Sequence, residues 1–377
     1  MIDLYEGREQ SRAKHDLLRL YLQPFCYKVF AWQNIINYID GFCGPWQNRD
    51  RDNFADTSFG IAIAEMDRVV SAYRTKGKEV RARLIFNEKD SQAFAELSAH
   101  LARVRGQYPN LELHALRGEL TANVPHIAEL SKNGFRFVFV DPTGWTGVGM
   151  DALARLLTRE SELVLNFMTE HINRFVSNPS PSRSAWLTGI LGADIAATLP
   201  EGLLTIDEIK EAEGRAFKEL LRYRYVCTSR IDMVASRKEH FSLFYGSNHP
   251  DGPDVLRRAE IEALTRYDEN RVRKRSPGQD SLFQIKEAGS YSDLRDKDML
   301  NLVSTCRDFT RSHGPTKFKN LAAKIQEESR VSRAEVGDAI TTLAALGEIE
   351  ATWKIRNANA RKPGPEDVVR RVRPLES

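Results

Sequence analysis

IINYIDGFCGPWQNR, running from Ile35 to Arg49, is the stretch on which the fold turns. Its apolar run through Ile35, Ile36, Tyr38 and Ile39 has the length of a buried strand and stops on a carboxylate, Asp40. Gly41 and Gly44 follow at once around Phe42 and Cys43, so the backbone can turn tightly and bring its amides close to a ligand. A carboxylate at the carboxyl end of a first parallel strand, followed by a glycine turn, is how doubly wound sheets hold a nucleoside-type cofactor at the switch point. Taken alone, the same residues also describe a β-turn after a core strand.

The flanking segments favour the cofactor-binding reading. Upstream, Leu17, Leu18, Leu20, Tyr21, Leu22 and Val29 recur at helical spacing between residues 9 and 31. Downstream, Ile61, Ile63, Ala64, Met66, Val69 and Val70 predict the crossover helix that a parallel strand pair requires. A second strand over 80–86 closes on Asn87-Glu88-Lys89-Asp90, and a third over 111–116 on Arg117-Gly118-Glu119. The fourth, 135–140, is apolar almost throughout, as burial on both faces demands, and ends in Asp141-Pro142-Thr143-Gly144-Trp145. A helix over 151–157 and a fifth strand over 163–167 complete the alternation.

Four strands thus end in an acid at one edge: Asp40, Glu88, Glu119 and Asp141. Thr205 with Glu208 forms a capping box for a further helix, and two runs, 225–234 and 241–246, predict an antiparallel hairpin at the far edge. The expected fold is α/β: a doubly wound, Rossmann-like, mostly parallel sheet of methyltransferase-like type with an antiparallel edge, over residues 1–250.

Residues 251–292 read as a basic helix and polar linker, and 293–377 as a winged-helix domain of three helices and a β-hairpin formed by 348–355 and 368–372. Ser332 with Glu335 caps the third helix and Gly347 stops it. Between Lys354 and Arg373 seven basic residues, Lys354, Arg356, Arg361, Lys362, Arg370, Arg371 and Arg373, face two acids, Glu366 and Asp367. That excess is the expected nucleic-acid footprint, DNA or RNA; a solvated tail or a protein-docking module is the alternative.

Composition sets the outer limits. With 377 residues, 41% hydrophobic and 28% charged, the chain reads as a globular protein of two or three domains. A formal net charge of +3 is too small to specify a polyanion partner by itself. Cys26, Cys43, Cys227 and Cys306 are widely spaced without C-x-x-C pairing, which argues against zinc and disulfides and for a reducing compartment. No run reaches membrane-span length and no signal-peptide core follows Met1, so a cytoplasmic location is expected, without a membrane.

S-adenosylmethionine binding requires a turn for the methionine end, an acid for the ribose diol and a polar group near the adenine. Asp40, Gly41, Phe42 and Gly44, then Glu88, then Glu119 meet those needs in order. Glu88 is also placed to stabilise a helix start. A dinucleotide would call for G-x-G-x-x-G, which the chain lacks. Asp141 and Pro142 at the end of strand four suit an amino-group acceptor, with Trp145 stacking on a base; the alternative is a helix-capping turn. No metal is needed, and the histidines show no metal-ligand spacing.

At these motifs the chain resembles the three-Cys-motif partner proteins. The matching pieces are Tyr38-Ile39-Asp40-Gly41-Phe42-Cys43-Gly44-Pro45, Phe86-Asn87-Glu88, Val138-Phe139-Val140-Asp141-Pro142-Thr143-Gly144 and Glu162-Leu163-Val164-Leu165-Asn166-Phe167-Met168 with Ile172-Asn173-Arg174. Phe241 to Pro250 matches a later strand, so the likeness covers roughly residues 10 to 250. It implies a methyltransferase-like Rossmann domain encoded beside a partner with a three-cysteine, radical-enzyme-like motif. Trp46 stands where a further glycine is expected.

The leading expectation is an S-adenosylmethionine-dependent methyltransferase acting on nucleic acid together with a partner protein. The alternative is a catalytically silent methyltransferase-like nucleic-acid-binding or assembly protein; a nuclease-type hydrolase ranks third.

Overall fold

The computed structural model describes residues 4–44, 48–142, 148–169, 172, 181–200, 202, 204–233, 239–275 and 289–372, with backbone alone at 181–183, 272, 273, 275 and 356. The chain divides into two units, Met1–Asn248 and His249–Ser377.

In the first unit the apolar run of the opening stretch becomes β1 (Ile35–Asp40), buried along nearly its whole length at the centre of a seven-stranded sheet. It pairs in parallel with β2 (Arg81–Glu88) on one side and β4 (Phe135–Val140) on the other. β3 (Leu111–Arg117) extends one flank beside β2, and β5 (Ser161–Phe167) extends the other beside β4. The order is β3-β2-β1-β4-β5-β7-β6, where β6 (Tyr225–Asp232) and β7 (Glu239–Ser247) form the expected hairpin. That hairpin supplies the antiparallel edge of the sheet. β7 is wedged between β5 and β6, antiparallel to both, so the outermost strand again runs with the parallel set. This arrangement is a doubly wound, Rossmann-like, mostly parallel sheet.

Helices α1 (Glu9–Phe30), α2 (Ser58–Thr75), α3 (Ser91–Val104), α4 (Leu120–Leu130) and α5 (Met150–Leu156) alternate with the parallel strands, as crossovers must. The side chains of β4, FRFVFV, alternate between the two faces of the sheet. On one face Phe137 stacks with Tyr21 and packs against the tilted ring of Phe25, both of α1, at centroid distances of 5.3 and 5.1 Å. On the other, Val138 and Val140 join Ile39, Leu163, Leu165 and Phe217 in an apolar core. Arg136 shares that second face, and burial is tolerated because its guanidinium donates to the carbonyls of Ser131, Leu156 and Ala128 at 2.6–3.0 Å.

Beyond β5 the chain forms α6 (Pro181–Leu191), α7 (Ala193–Ala196) and α8 (Ile206–Glu219), the last opened by the Thr205/Glu208 capping box. α8 carries an anomaly. Glu213 is fully buried, neither carboxylate oxygen has a hydrogen-bond partner among the described residues, and burial raises its pKa well above the usual carboxyl range. The folded state therefore holds the proton more tightly than the unfolded chain, so this stabilisation is complete below the unfolded carboxyl pKa and fades as pH rises through the folded value. Glu213→Leu is expected to raise stability at pH 8 by at least about 1 kcal/mol and to flatten the pH dependence between 5 and 8, read by thermal melts.

In the second unit α9 (Asp251–Arg275) packs with α11 (Phe318–Glu328). The buried Arg257 of α9 donates to the carbonyl oxygens of Gln326 and Glu327 at 2.8 and 3.1 Å and to Glu260 at 2.6 Å. α10 (Tyr291–Ser312), β8 (Thr316–Lys317), α11 and α12 (Arg333–Ala345) surround a core of Cys306, Phe318, Leu321, Ile340, Leu343 and Trp353. Gly347 ends α12 at φ +74°, and Ser332 with Glu335 opens it.

The expected hairpin of 348–355 with 368–372 is mostly replaced. Ile349 bridges Arg371, but Thr352–Arg356 is a helical turn, α13, and β9 (Val368–Val369) pairs with β8. The reason is Trp353: the turn lets its ring reach zero exposure in the core, a burial that a solvent-edge strand does not provide. Among the described residues no helix is long and apolar enough to cross a membrane.

Candidate functional site

The order of strands reverses between β1 and β4, so the crevice outside their carboxyl ends is the topological switch point. Register brings the acids toward it. Asp40 lies opposite both Phe86 and Phe139, which puts Glu88 and Asp141 two residues further along the flanking strands.

Asp40 itself is fully buried. Its carboxylate accepts the Phe42 amide at 3.1 Å and the Tyr38 hydroxyl at 3.5 Å, and burial pushes its pKa up to about 6 against the hydrogen bonds from Ser58 and Phe42. The Cys43 thiol donates to the Asp40 carbonyl at 3.2 Å. The turn amides are equally occupied: Gly41 donates to the Phe139 carbonyl and Cys43 to the Asn87 carbonyl, both at 3.0 Å, while Gly44 bonds the Glu88 carboxylate. A Cβ on Gly41 would come within 2.8 Å of Leu120, so glycine there permits close packing of α4. The amides expected to face a ligand instead stitch β1 to its neighbours.

Glu88 is buried at the end of β2, where it accepts the Asp90 amide at 2.7 Å; burial raises its pKa despite the Asp90, Lys89 and Gly44 amides. Glu119 does not join it. It is exposed at the start of α4 and pairs with Lys89 at 3.6 Å. Asn87 ties the three strand ends together, donating to the carbonyls of Gly41 and Gly118 at 3.2 and 3.1 Å and accepting from Asn123 at 2.7 Å.

Asp141 occupies the other wall. Lys14, a buried residue of α1, forms an ion pair with its Oδ2 and lies 5.6 Å from the centroid of the Phe241 ring. Asn166 Nδ2, from β5, donates to Asp141 Oδ1 at 2.6 Å, and the Asn166 amide oxygen, also buried, accepts no hydrogen bond from any of the described residues. Pro142 is buried beside Asp141; Trp145, Thr143, Gly144 and Trp46 lie outside the described residues.

Register thus brings Asp40, Glu88 and Asp141 to one edge, with Glu119 at the rim. Sequence reasoning missed Lys14 and the bonding of Asn87 and Asn166. Lys14 gave no signal, since it sits in a helix 127 positions from its partner. Asn166 had one: a polar residue inside the apolar run of β5.

In the second unit the expected cations are distributed among acids. Lys362 pairs with Asp338 at 2.6 Å and Arg370 with Glu350 at 3.7 Å, while Arg371 acts electrostatically on Glu348. Lys354 and Arg361 are exposed, and the side chain of Arg356, like all of Arg373, lies outside the described residues.

No known protein family matches the chain, and no curated protein does. Among solved structures it is similar to an O-methyltransferase of Streptomyces achromogenes, TomG, in complex with S-adenosylmethionine, with 14% identity, 63% of this chain and 80% of that chain covered, and a TM-score of 0.33. It is also similar to an O-methyltransferase of Bacillus cereus with S-adenosylhomocysteine, at 11% identity, 62% and 80% coverage and a TM-score of 0.32. A loganic acid methyltransferase with S-adenosylhomocysteine shows 10% identity, 71% and 84% coverage and a TM-score of 0.30. At these values none of the three carries its chemistry over to this chain.

Proposed function

We propose that the first unit binds S-adenosylmethionine at the carboxyl edge of its sheet and transfers the methyl group to a nucleic acid, with a partner protein of the three-Cys-motif type completing the system. One observation carries this reading: β1, β2 and β4 deliver Asp40, Glu88 and Asp141 to the two sides of a switch point in the order β3-β2-β1-β4-β5-β7-β6. Doubly wound sheets bind their ligands there.

The residues fit the cofactor in part. Glu88 is a buried acid at the end of β2, suited to the ribose diol, and a carboxylate has acceptor positions beyond those the Asp90 and Gly44 amides occupy. Gly41, Phe42 and Gly44 form the wall of the turn, Asp40 holds that turn from within, and Glu119 offers a rim acceptor near the adenine. When bound, the group supplies an electrophilic methyl on a sulfonium. This chain's own residues orient the acceptor: Asp141, with Pro142 next in the chain, takes a hydrogen bond from the target amine, and Trp145 is the residue proposed to stack on a base.

From α10 onward the second unit runs helix, short strand, two helices, the helical turn α13 and a returning strand, an order suited to a winged helix. Lys354, Arg356, Arg361, Lys362, Arg370 and Arg371 are its candidate phosphate contacts. A catalytically silent binding or assembly protein is the second reading, favoured by the turn amides already being bonded within the protein.

Calorimetric titration of the full chain with S-adenosylmethionine tests the first reading. Binding is expected for the wild type, with affinity at least about tenfold weaker in Glu88→Ala, because hydrogen bonds to a charged group carry about 1.5–3 kcal/mol. No heat with the wild type removes the methyl-transfer reading and leaves the second.

A further inference from the structure

We infer that Asn166 is a specificity-determining residue which, together with Asp141, selects an acceptor carrying an amino group, an inference that rests on the methyl-transfer reading. The starting point is an orphaned atom. Asn166 is 1% exposed, its Nδ2 donates to Asp141 Oδ1 at 2.6 Å and contacts Met168 Sδ at 3.3 Å, and its Oδ1 has no hydrogen-bond partner among the described residues.

The amide cannot be turned round to relieve this, because the oxygen would then face a carboxylate oxygen, acceptor against acceptor. A buried acceptor without a donor is costly, and such atoms in native proteins call for a functional explanation. Here the atom stands at the carboxyl end of β5. Val140 is registered with Leu165, so Asp141 and Asn166 are side by side on adjacent strands at the switch-point edge.

Two acceptors side by side set the chemistry of what fits. Asp141 Oδ2 is engaged by Lys14 and Oδ1 by Asn166, but each carboxylate oxygen offers a second lone-pair position. A group that satisfies both Asp141 and Asn166 Oδ1 from one atom needs two hydrogens on that atom. An amino group has them and a hydroxyl has one. With both N–H bonds directed at the two acceptors, the nitrogen lone pair points away from them and is free to attack. In the transfer the lone pair forms the N–C bond while the C–S pair passes to sulfur, leaving a thioether. The nitrogen then gives up one proton to Asp141, and from there to water. Within nucleic acid this selects the exocyclic amines of adenine, cytosine or guanine over thymine, which has none.

The test uses fluorescein-labelled single strands of twelve deoxyadenylates, twelve deoxycytidylates or twelve thymidylates, titrated by anisotropy against the full chain saturated with S-adenosylhomocysteine. The wild type is expected to bind an amine-bearing strand at least about tenfold tighter than the thymidylate strand. Asn166→Val, which removes the amide and introduces the β-branching a strand favours, should erase that preference while leaving thymidylate affinity within about twofold. Asn166→Leu, closer in volume, is the second variant should the valine destabilise the sheet, with thermal melts as the check. Equal binding of all three strands by the wild type, no binding of any, or a preference that survives both variants overturns the inference. Calorimetry with S-adenosylmethionine separates the failures: binding of the cofactor without amine preference sinks this inference alone, whereas no cofactor binding removes the reading beneath it.

Discussion

Arg257→Met is expected to destabilise the second unit by about 3–5 kcal/mol, bringing its thermal transition down by roughly 10 °C or more. Both members of the Arg257–Glu260 pair are essentially without solvent contact, at 2% and 0% side-chain exposure, and they are 2.6 Å apart. Removing the guanidinium leaves a buried carboxylate with no counterion and strips donors from the carbonyls of Gln326 and Glu327. Losing one partner of a buried pair costs far more than losing both, since the second loss removes the stranded charge. Arg257→Met combined with Glu260→Leu should therefore recover most of the lost stability. Circular dichroism melts of the full chain read both variants; a single variant within about 1 kcal/mol of wild type would show that the pair does not anchor α9 to α11.

Asp141→Ala is expected to lower methyl transfer by about 10²–10⁴-fold, the range for losing a positioned group that binds and deprotonates the acceptor. Its affinity for S-adenosylmethionine should stay within about threefold, because the proposed site assigns Asp141 to the acceptor and Glu88 to the cofactor. The measurement is the initial rate of tritium transfer from methyl-labelled S-adenosylmethionine to the amine-bearing strand that binds best, beside calorimetry of the same preparation. Equal losses of rate and cofactor affinity would place Asp141 in the cofactor's half of the site. Lys14→Met gives a graded comparison: it leaves Asp141 in place but frees it from the α1 ion pair, so a smaller loss of rate is expected than for Asp141→Ala.

The structure also bears on how far a reading of residues alone can go. β4 was legible to the residue, 135–140, because a doubly buried strand is a continuous apolar run bounded by Gly134 and Asp141. Both capping boxes, Thr205 with Glu208 and Ser332 with Glu335, were equally plain, since their hydrogen bonds span only three residues. The segment 348–355 misled for the opposite reason. Its alternating apolar pattern suits a strand, but the burial of Trp353 against residues far along the chain made a helical turn the better solution.

The sequence by itself determined which segments of the first unit are strands, that most of them run parallel, and that acids fall at or just beyond their carboxyl ends, because periodicity and turn chemistry act over a few neighbouring residues. Only the tertiary structure decided what those acids do. Register and sheet order turned Asp40 inward as the brace of its turn and gave Asp141 to Lys14 and Asn166. They left Glu119 at the rim and one amide oxygen of Asn166 without a donor. A side chain's partners are set by distances in space between elements more than a hundred residues apart in places, and no local pattern records them.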